Sequence, residues 1–175
     1  MAEINFDHHP QFFTATILEW KLLLKDDTFK DIIINSLLFL KNEKSIVVYA
    51  YVIMPNHIHL IWHIQDGFTK EKIQQRFLKF TGQQLKFELA KTDPAQLIKY
   101  KVNAKDREYQ IWERNSLSID LWTEAVFMQK LDYIHNNPLQ EKWNLAKHPD
   151  DYKYSSANFY ETGIDDLGLL THYAG

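Results

Sequence analysis

The sequence contains no cysteine. That excludes a disulfide framework and any thiolate metal site. Glycine and proline are scarce, five of each among 175 residues, which leaves little room for a flexible linker or a disordered tail. No apolar run approaches the roughly 20 residues needed to cross a bilayer. The opening stretch MAEINFDHHPQFF lacks the basic start and apolar core of a secretory signal. Excess positive charge is missing too, because the formal net charge is −3. With 45% apolar residues, one compact domain over 1–175 is expected, cytoplasmic and without a membrane partner.

The charge is unevenly spread. Residues 69–114 hold eleven Lys and Arg against six acids, so a basic middle sits in an acidic chain. Such a segment is either a solvated helix face or a surface that meets phosphates. Residues 11–20 (QFFTATILEW) are aromatic and β-branched and predict a strand. Asp26, Asp27 and Thr28 offer a cap for a helix carrying Ile32, Ile33, Leu37 and Leu40. Residues 45–54 form a nearly continuous apolar run, as in a buried strand. Pro55-Asn56 ends it, and residues 57–64 then alternate. A helix is predicted over 69–90, a short one from Asp93-Pro94 to about Tyr100, a weak strand over 109–113, and a helix over 123–137 stopped by Pro138. The tail holds a turn-rich stretch and one short helix. This order is βαββαβ: an α+β, ferredoxin-like antiparallel sheet with helices on one face and an additional C-terminal helix. The other face is left for a site.

The informative stretch is MPNHIHLIWHI, residues 54–64. Side chains alternate along a strand, so His57, His59, Ile61 and His63 share one face, while Ile58, Leu60, Trp62 and Ile64 face the helices. Imidazoles at i and i+2 have Cβ atoms roughly 6–7 Å apart, close enough for both rings to reach one ion at about 2.1 Å. A short His-apolar-His pattern also arises without a metal. A structural zinc site would want four ligands, so a catalytic ion with open positions fits better. His63 lies further along and is read as a phosphate contact or an exposed histidine.

A second constellation is LDYIHNNP, residues 131–138. Tyr133 and Asn137 are four apart and share a helix face, whereas His135 points away from both. Tyr133 offers a phenol and Asn137 an amide oxygen. The same pattern suits a half-buried tyrosine with an asparagine closing the helix.

Together, MPNHIHL, then KLDYIHNNPLQEKW, then DYKYSS resemble the REP-associated tyrosine transposases, single-tyrosine HUH endonucleases related to small insertion-sequence transposases. The resemblance runs from the first strand to about Ser156. It implies that His57, His59 and Asn137 are ligands of Mg2+ or Mn2+ and that Tyr133 is the nucleophile. It further implies single-stranded DNA with hairpins as partner, nicking beside the hairpin through a 5′-phosphotyrosine, strand transfer, and a nucleoid location. The implied state is a monomer or a homodimer, with the tyrosine helix docking on its own sheet or on a partner's. Lys70, Lys72, Arg76 and Lys79, followed by Lys99, Lys101, Lys105 and Arg107, would meet DNA phosphates together with His63. Two other readings stand beside this one: a non-catalytic binder of hairpin DNA on the same fold, and a metal-dependent hydrolase of small phosphate esters.

Overall fold

The computed structural model describes residues 9–175, and the start of the stretch read above for a signal sequence lies outside them. Four strands form one antiparallel sheet: β1 (Gln11–Thr16), β2 (Ile46–Ile53), β3 (His57–Ile64) and β4 (Leu117–Asp120), in the order β2-β3-β1-β4. The helices are α1 (Asp27–Asn42), α2 (Lys70–Thr92), α3 (Pro94–Leu97), α4 (Glu124–Asn136) and α5 (Ala157–Thr162). Their starts follow from local chemistry. The Asp26 carboxylate accepts from Thr28 N, the Thr69 hydroxyl from Lys72 N, and the Thr123 hydroxyl from Val126 N, each supplying a partner for an otherwise unpaired amide. Asp93 closes α2 through its amide and caps α3, whose first residue is Pro94. Asn137-Pro138 ends α4.

Alternation divides the sheet between two cores. Phe13, Ala15, Leu60 and Trp62 pack with Ile33 and Leu37 of α1 and Phe77 and Leu85 of α2. On the opposite face Phe12, Val52 and Ile61 pack with Phe127, Leu131 and Ile134 of α4. The appended helix therefore covers part of the face that the pattern had left open. Strand β2 is apolar throughout because both of its faces are covered. Its register slips between Val48 and Ala50. Tyr49 and Ala50 consequently both face the α4 core, while Val48 and Tyr51 face the other.

Two strand expectations are corrected. The first strand stops at Thr16, not residue 20. Beyond it the Ile17 amide donates to Asn56 O and the Leu18 amide to Ile111 O, and Glu19 and Trp20 take left-handed φ values of 53° and 59°. Apolar composition continues there, but the backbone has exchanged its strand partner for loops. The fourth strand is Leu117–Asp120 rather than 109–113. Residues of the latter segment make only isolated bridges, Trp112 to Ile17 and Tyr109 to Lys101. Asn115, at φ 64°, breaks the extended path before the β1–β4 ladder begins at Leu117 opposite Thr14.

Phe127 is fully buried, with the Tyr49 and Tyr173 rings 5.8 and 5.6 Å away. Phe127→Ala is expected to lower unfolding free energy by about 3–5 kcal/mol, read from denaturant midpoints. A loss under about 1 kcal/mol would show that α4 is not anchored through this ring. Among the described residues, no helix is long and apolar enough to cross a membrane.

Candidate metal and nucleophile site

The turn at Pro55-Asn56 closes with the Met54 amide donating to His57 O at 2.8 Å, and it launches β3 with His57 first. His57 and His59 then lie on one face, their ring centroids 4.7 Å apart. Each ring is fixed through Nδ1: His57 to Asn56 Oδ1 at 2.6 Å, and His59 to Thr14 Oγ1 at 2.7 Å. The second contact follows from register, since Thr14 pairs with His59 across β1 and β3. With Nδ1 as the donor on each ring, Nε2 carries the lone pair, the arrangement usual for ligating histidines held by outer hydrogen bonds. His59 Nε2 and Asn137 Oδ1 are both buried without a hydrogen-bond partner. Asn137 is 2% exposed and lies close enough to favour the charged form of His57, yet its Oδ1 closes no hydrogen bond of normal geometry. Buried polar groups are normally satisfied, so two orphaned acceptors, one on His59 and one on the Asn137 that neighbours His57, fit a cation held by His57, His59 and Asn137. Among the described residues no three His, Cys, Asp or Glu gather as a metal site, here or elsewhere, so the candidate set here is two histidines and one amide.

Burial holds both rings neutral. It lowers His57 to about 4, with Lys142 adding to the effect and Asn137 opposing it, and it lowers His59 to about 3, with His57 and Lys130 adding. His135, half-buried, is also lowered by desolvation, to about 4. These groups bind protons more weakly folded than unfolded, where a histidine titrates near 6.5. Stability is therefore unaffected above that value and declines as pH falls from about 6.5 towards 4, by up to roughly 1.4 kcal/mol per pH unit for each ring. Denaturant midpoints at pH 7.5, 6 and 5 check this, and a protein equally stable at pH 5 and 7.5 would contradict it.

Helix α4 carries Tyr133 to the same place in the same chain. Its ring stands edge-on to His59 at 5.2 Å and to Phe12 at 6.1 Å. It is 44% exposed. Lys130, one turn earlier, places Nζ 4.8 Å from the Phe12 ring and 5.8 Å from the Tyr133 ring. His135 points away, its Nε2 lying 2.8 Å from Ser156 Oγ.

The cations named from sequence do not converge on this site. Lys70, Lys72, Arg76 and Lys79 ride on α2, across the sheet from the histidines. Lys70 pairs with Asp120 at 3.5 Å, and Arg76 grips Glu43 through two contacts at 2.9 and 3.1 Å. Lys101 pairs with Glu108 and Arg107 with Asp106. Lys99 and Lys105 are exposed. His63 is half-buried at the far end of β3, its Nδ1 3.3 Å from Gln65 Nε2. Asn56, Thr14, Lys130 and Trp143 were not singled out from sequence. Asn56 adjoins the histidine pair and Lys130 precedes the tyrosine by one turn, so both were within reach of a local reading. Thr14 depends on strand register. Trp143, 5.9 Å from His57, depends on the path of the chain after α4.

The four-stranded sheet and its helices share their fold with a solved tyrosine transposase. Specifically, the chain is similar to a solved structure of a REP-associated tyrosine transposase bound to a REP hairpin. The TM-score is 0.65 at 18% identity, over 96% of this chain and 91% of that one. A protein from Deinococcus radiodurans R1, provisionally assigned as a transposase, aligns at TM-score 0.48 and 14% identity over 73% of this chain and 88% of that one. No family model and no curated protein matches the sequence.

Proposed function

We propose that this protein nicks and rejoins single-stranded DNA beside hairpins, with Tyr133 as nucleophile. The observation that carries this reading is the meeting, in one chain, of an exposed phenol with two buried neutral imidazoles whose Nδ1 atoms are already engaged. The similarity to a transposase bound to a REP hairpin supports the choice of partner. Tyr133 Oη forms a bond to phosphorus as the bond to the 3′-oxygen breaks. The phenolic proton is given up, a proton is taken by the 3′-oxygen, and no water is consumed. The products are a 5′-phosphotyrosine and a free 3′-hydroxyl. A phenolate leaves more readily than an alkoxide, so the bond's energy is kept for rejoining. Mg2+ or Mn2+, held by His57 and His59 through Nε2 and Asn137 through Oδ1, would supply Lewis acidity and neutralise phosphate charge. Two imidazoles and an amide are neutral and leave that charge undiminished. Lys130 offers a further cation beside Tyr133.

Thr14 and Asn56 act on the rings. Thr14→Val removes the partner of His59 Nδ1 and is expected to weaken Mn2+ affinity about 10–100-fold, measured by calorimetry. An unchanged affinity would mean that the threonine does not set the ring. The reading as a whole is tested with purified protein, Mn2+ and a labelled single-stranded hairpin oligonucleotide. A protein–DNA complex that survives denaturant is expected. Tight binding with no such complex would favour a non-catalytic binder, and turnover of small phosphate esters alone would favour a hydrolase.

A further inference from the structure

Four rings stand in a row on the site face. Tyr133 lies 5.2 Å from His59, His59 4.7 Å from His57, and His57 5.9 Å from Trp143. Tyr133 also leans on Phe12 at 6.1 Å, and Phe12 pairs with Ile61, two residues beyond His59 along β3. The phenol and the indole therefore occupy opposite ends of the histidine pair. A tight turn after α4 brings Trp143 back to the site. Its amide donates to Gln140 O at 2.8 Å, the Leu145 amide donates to Pro138 O at 2.9 Å, and Asn144 takes a left-handed φ of 46°. Each end of the row carries a lysine. Lys130 Nζ is 5.8 Å from the Tyr133 ring, and Lys142 Nζ is 5.6 Å from the Trp143 ring. Lys142 acts electrostatically on His57 and Lys130 on His59, each disfavouring the protonated ring. Neither lysine joins an ion pair among the described residues, so both charges are available to an anion.

The proposed reaction gives the two ends different tasks. Displacement at phosphorus keeps the attacking and leaving oxygens roughly in line, on opposite sides of that atom. Tyr133 Oη approaches a phosphate on the histidine pair from the His59 end, so the 3′-oxygen departs toward the His57 end. As the bond from Oη to phosphorus forms, the phenolic proton passes to solvent. As the bond from phosphorus to the 3′-oxygen breaks, its electron pair stays on that oxygen, which becomes a hydroxyl by taking a proton from water. A phenol titrates at about 10, whereas an alkoxide is far more basic. Negative charge is therefore worst accommodated on the departing oxygen, and a cation placed there lowers the barrier. Lys142 is the cation of that end, its ammonium kept over the Trp143 ring.

We infer that Lys142 is a catalytic residue that neutralises charge on the departing 3′-oxygen, while Lys130 serves the Tyr133 end. The inference rests on the proposed nicking reaction. It is tested with a hairpin oligonucleotide whose scissile 3′-oxygen is replaced by sulfur, because a thiolate is far less basic than an alkoxide and leaves without help from a cation. Single-turnover rates of covalent-complex formation in Mn2+ are compared on the oxygen and sulfur substrates for the wild type, Lys142→Gln, Lys142→Arg and Lys130→Gln. On the oxygen substrate Lys142→Gln is expected to be slower by about 10^2-fold, the scale of losing one charge-stabilising group, and Lys142→Arg to recover most of the rate. On the sulfur substrate the Lys142→Gln deficit should largely vanish, whereas the Lys130→Gln deficit should persist. Melting temperature and hairpin affinity in EDTA are measured alongside, to separate this role from folding and docking. No Lys142→Gln deficit, a deficit equal on both substrates, one matched by weaker hairpin binding in EDTA, or equal rescue of Lys130→Gln by sulfur would each overturn the inference. A wild type that binds the oxygen substrate and forms no covalent complex would overturn the reaction itself, and the inference with it.

Discussion

Tyr133→Phe is expected to remove the denaturant-resistant protein–DNA complex, lowering its rate of formation by ~10^4-fold or more, the scale of losing a covalent nucleophile. The substitution deletes one oxygen. The edge contacts of the ring with His59 at 5.2 Å and Phe12 at 6.1 Å need only the ring itself. Phe127, Leu131 and Ile134, which fix α4 to the sheet, are untouched. Folding and hairpin binding should therefore stay near wild type, and melting curves with equilibrium titrations measure both. Another residue forming the complex at the wild-type rate would remove Tyr133 from the reaction. Loss of binding along with the complex would make it a docking residue.

His59→Ala should have the next largest effect. The change removes the unpaired buried Nε2 on which the proposed cation site chiefly rests. It also strands the Thr14 hydroxyl, which loses its partner at 2.7 Å. Charge stabilisation by a catalytic ion is worth several kcal/mol, so complex formation should fall about 10^3-fold and require far more Mn2+ to reach half its maximum. Losing a buried ring also costs stability, so the variant is compared below its own melting temperature, with hairpin binding in EDTA as the control for folding. A variant that retains the wild-type rate and Mn2+ dependence would mean that the histidines hold no catalytic ion.

The central parts of this site were legible because they obey local periods. His57 and His59 share a face through strand alternation, and Tyr133 and Asn137 share one through helical spacing. Each contrast also came out as periodicity required: Trp62 faces the helices and His135 turns to Ser156. The parts set by long-range register were not legible. Nothing near Thr14 signals a partner 45 positions away. Residues 109–113 carry more strand-like composition than Leu117–Asp120, yet Asn115 places the regular ladder after itself. The basic middle of the chain was visible as composition, but composition is blind to pairing. Arg76 is occupied by Glu43, whereas Lys86 and Arg114, not singled out from sequence, border a cleft.

The most direct measurement is tandem mass spectrometry of wild-type protein after reaction with a single-stranded hairpin oligonucleotide in Mn2+, followed by denaturation and nuclease trimming. A nucleotide phosphate attached to Tyr133, in the peptide that also contains Asn137, is the predicted result. Cleaved DNA with no covalent mass on the protein, or the mass on any other residue, would contradict the account.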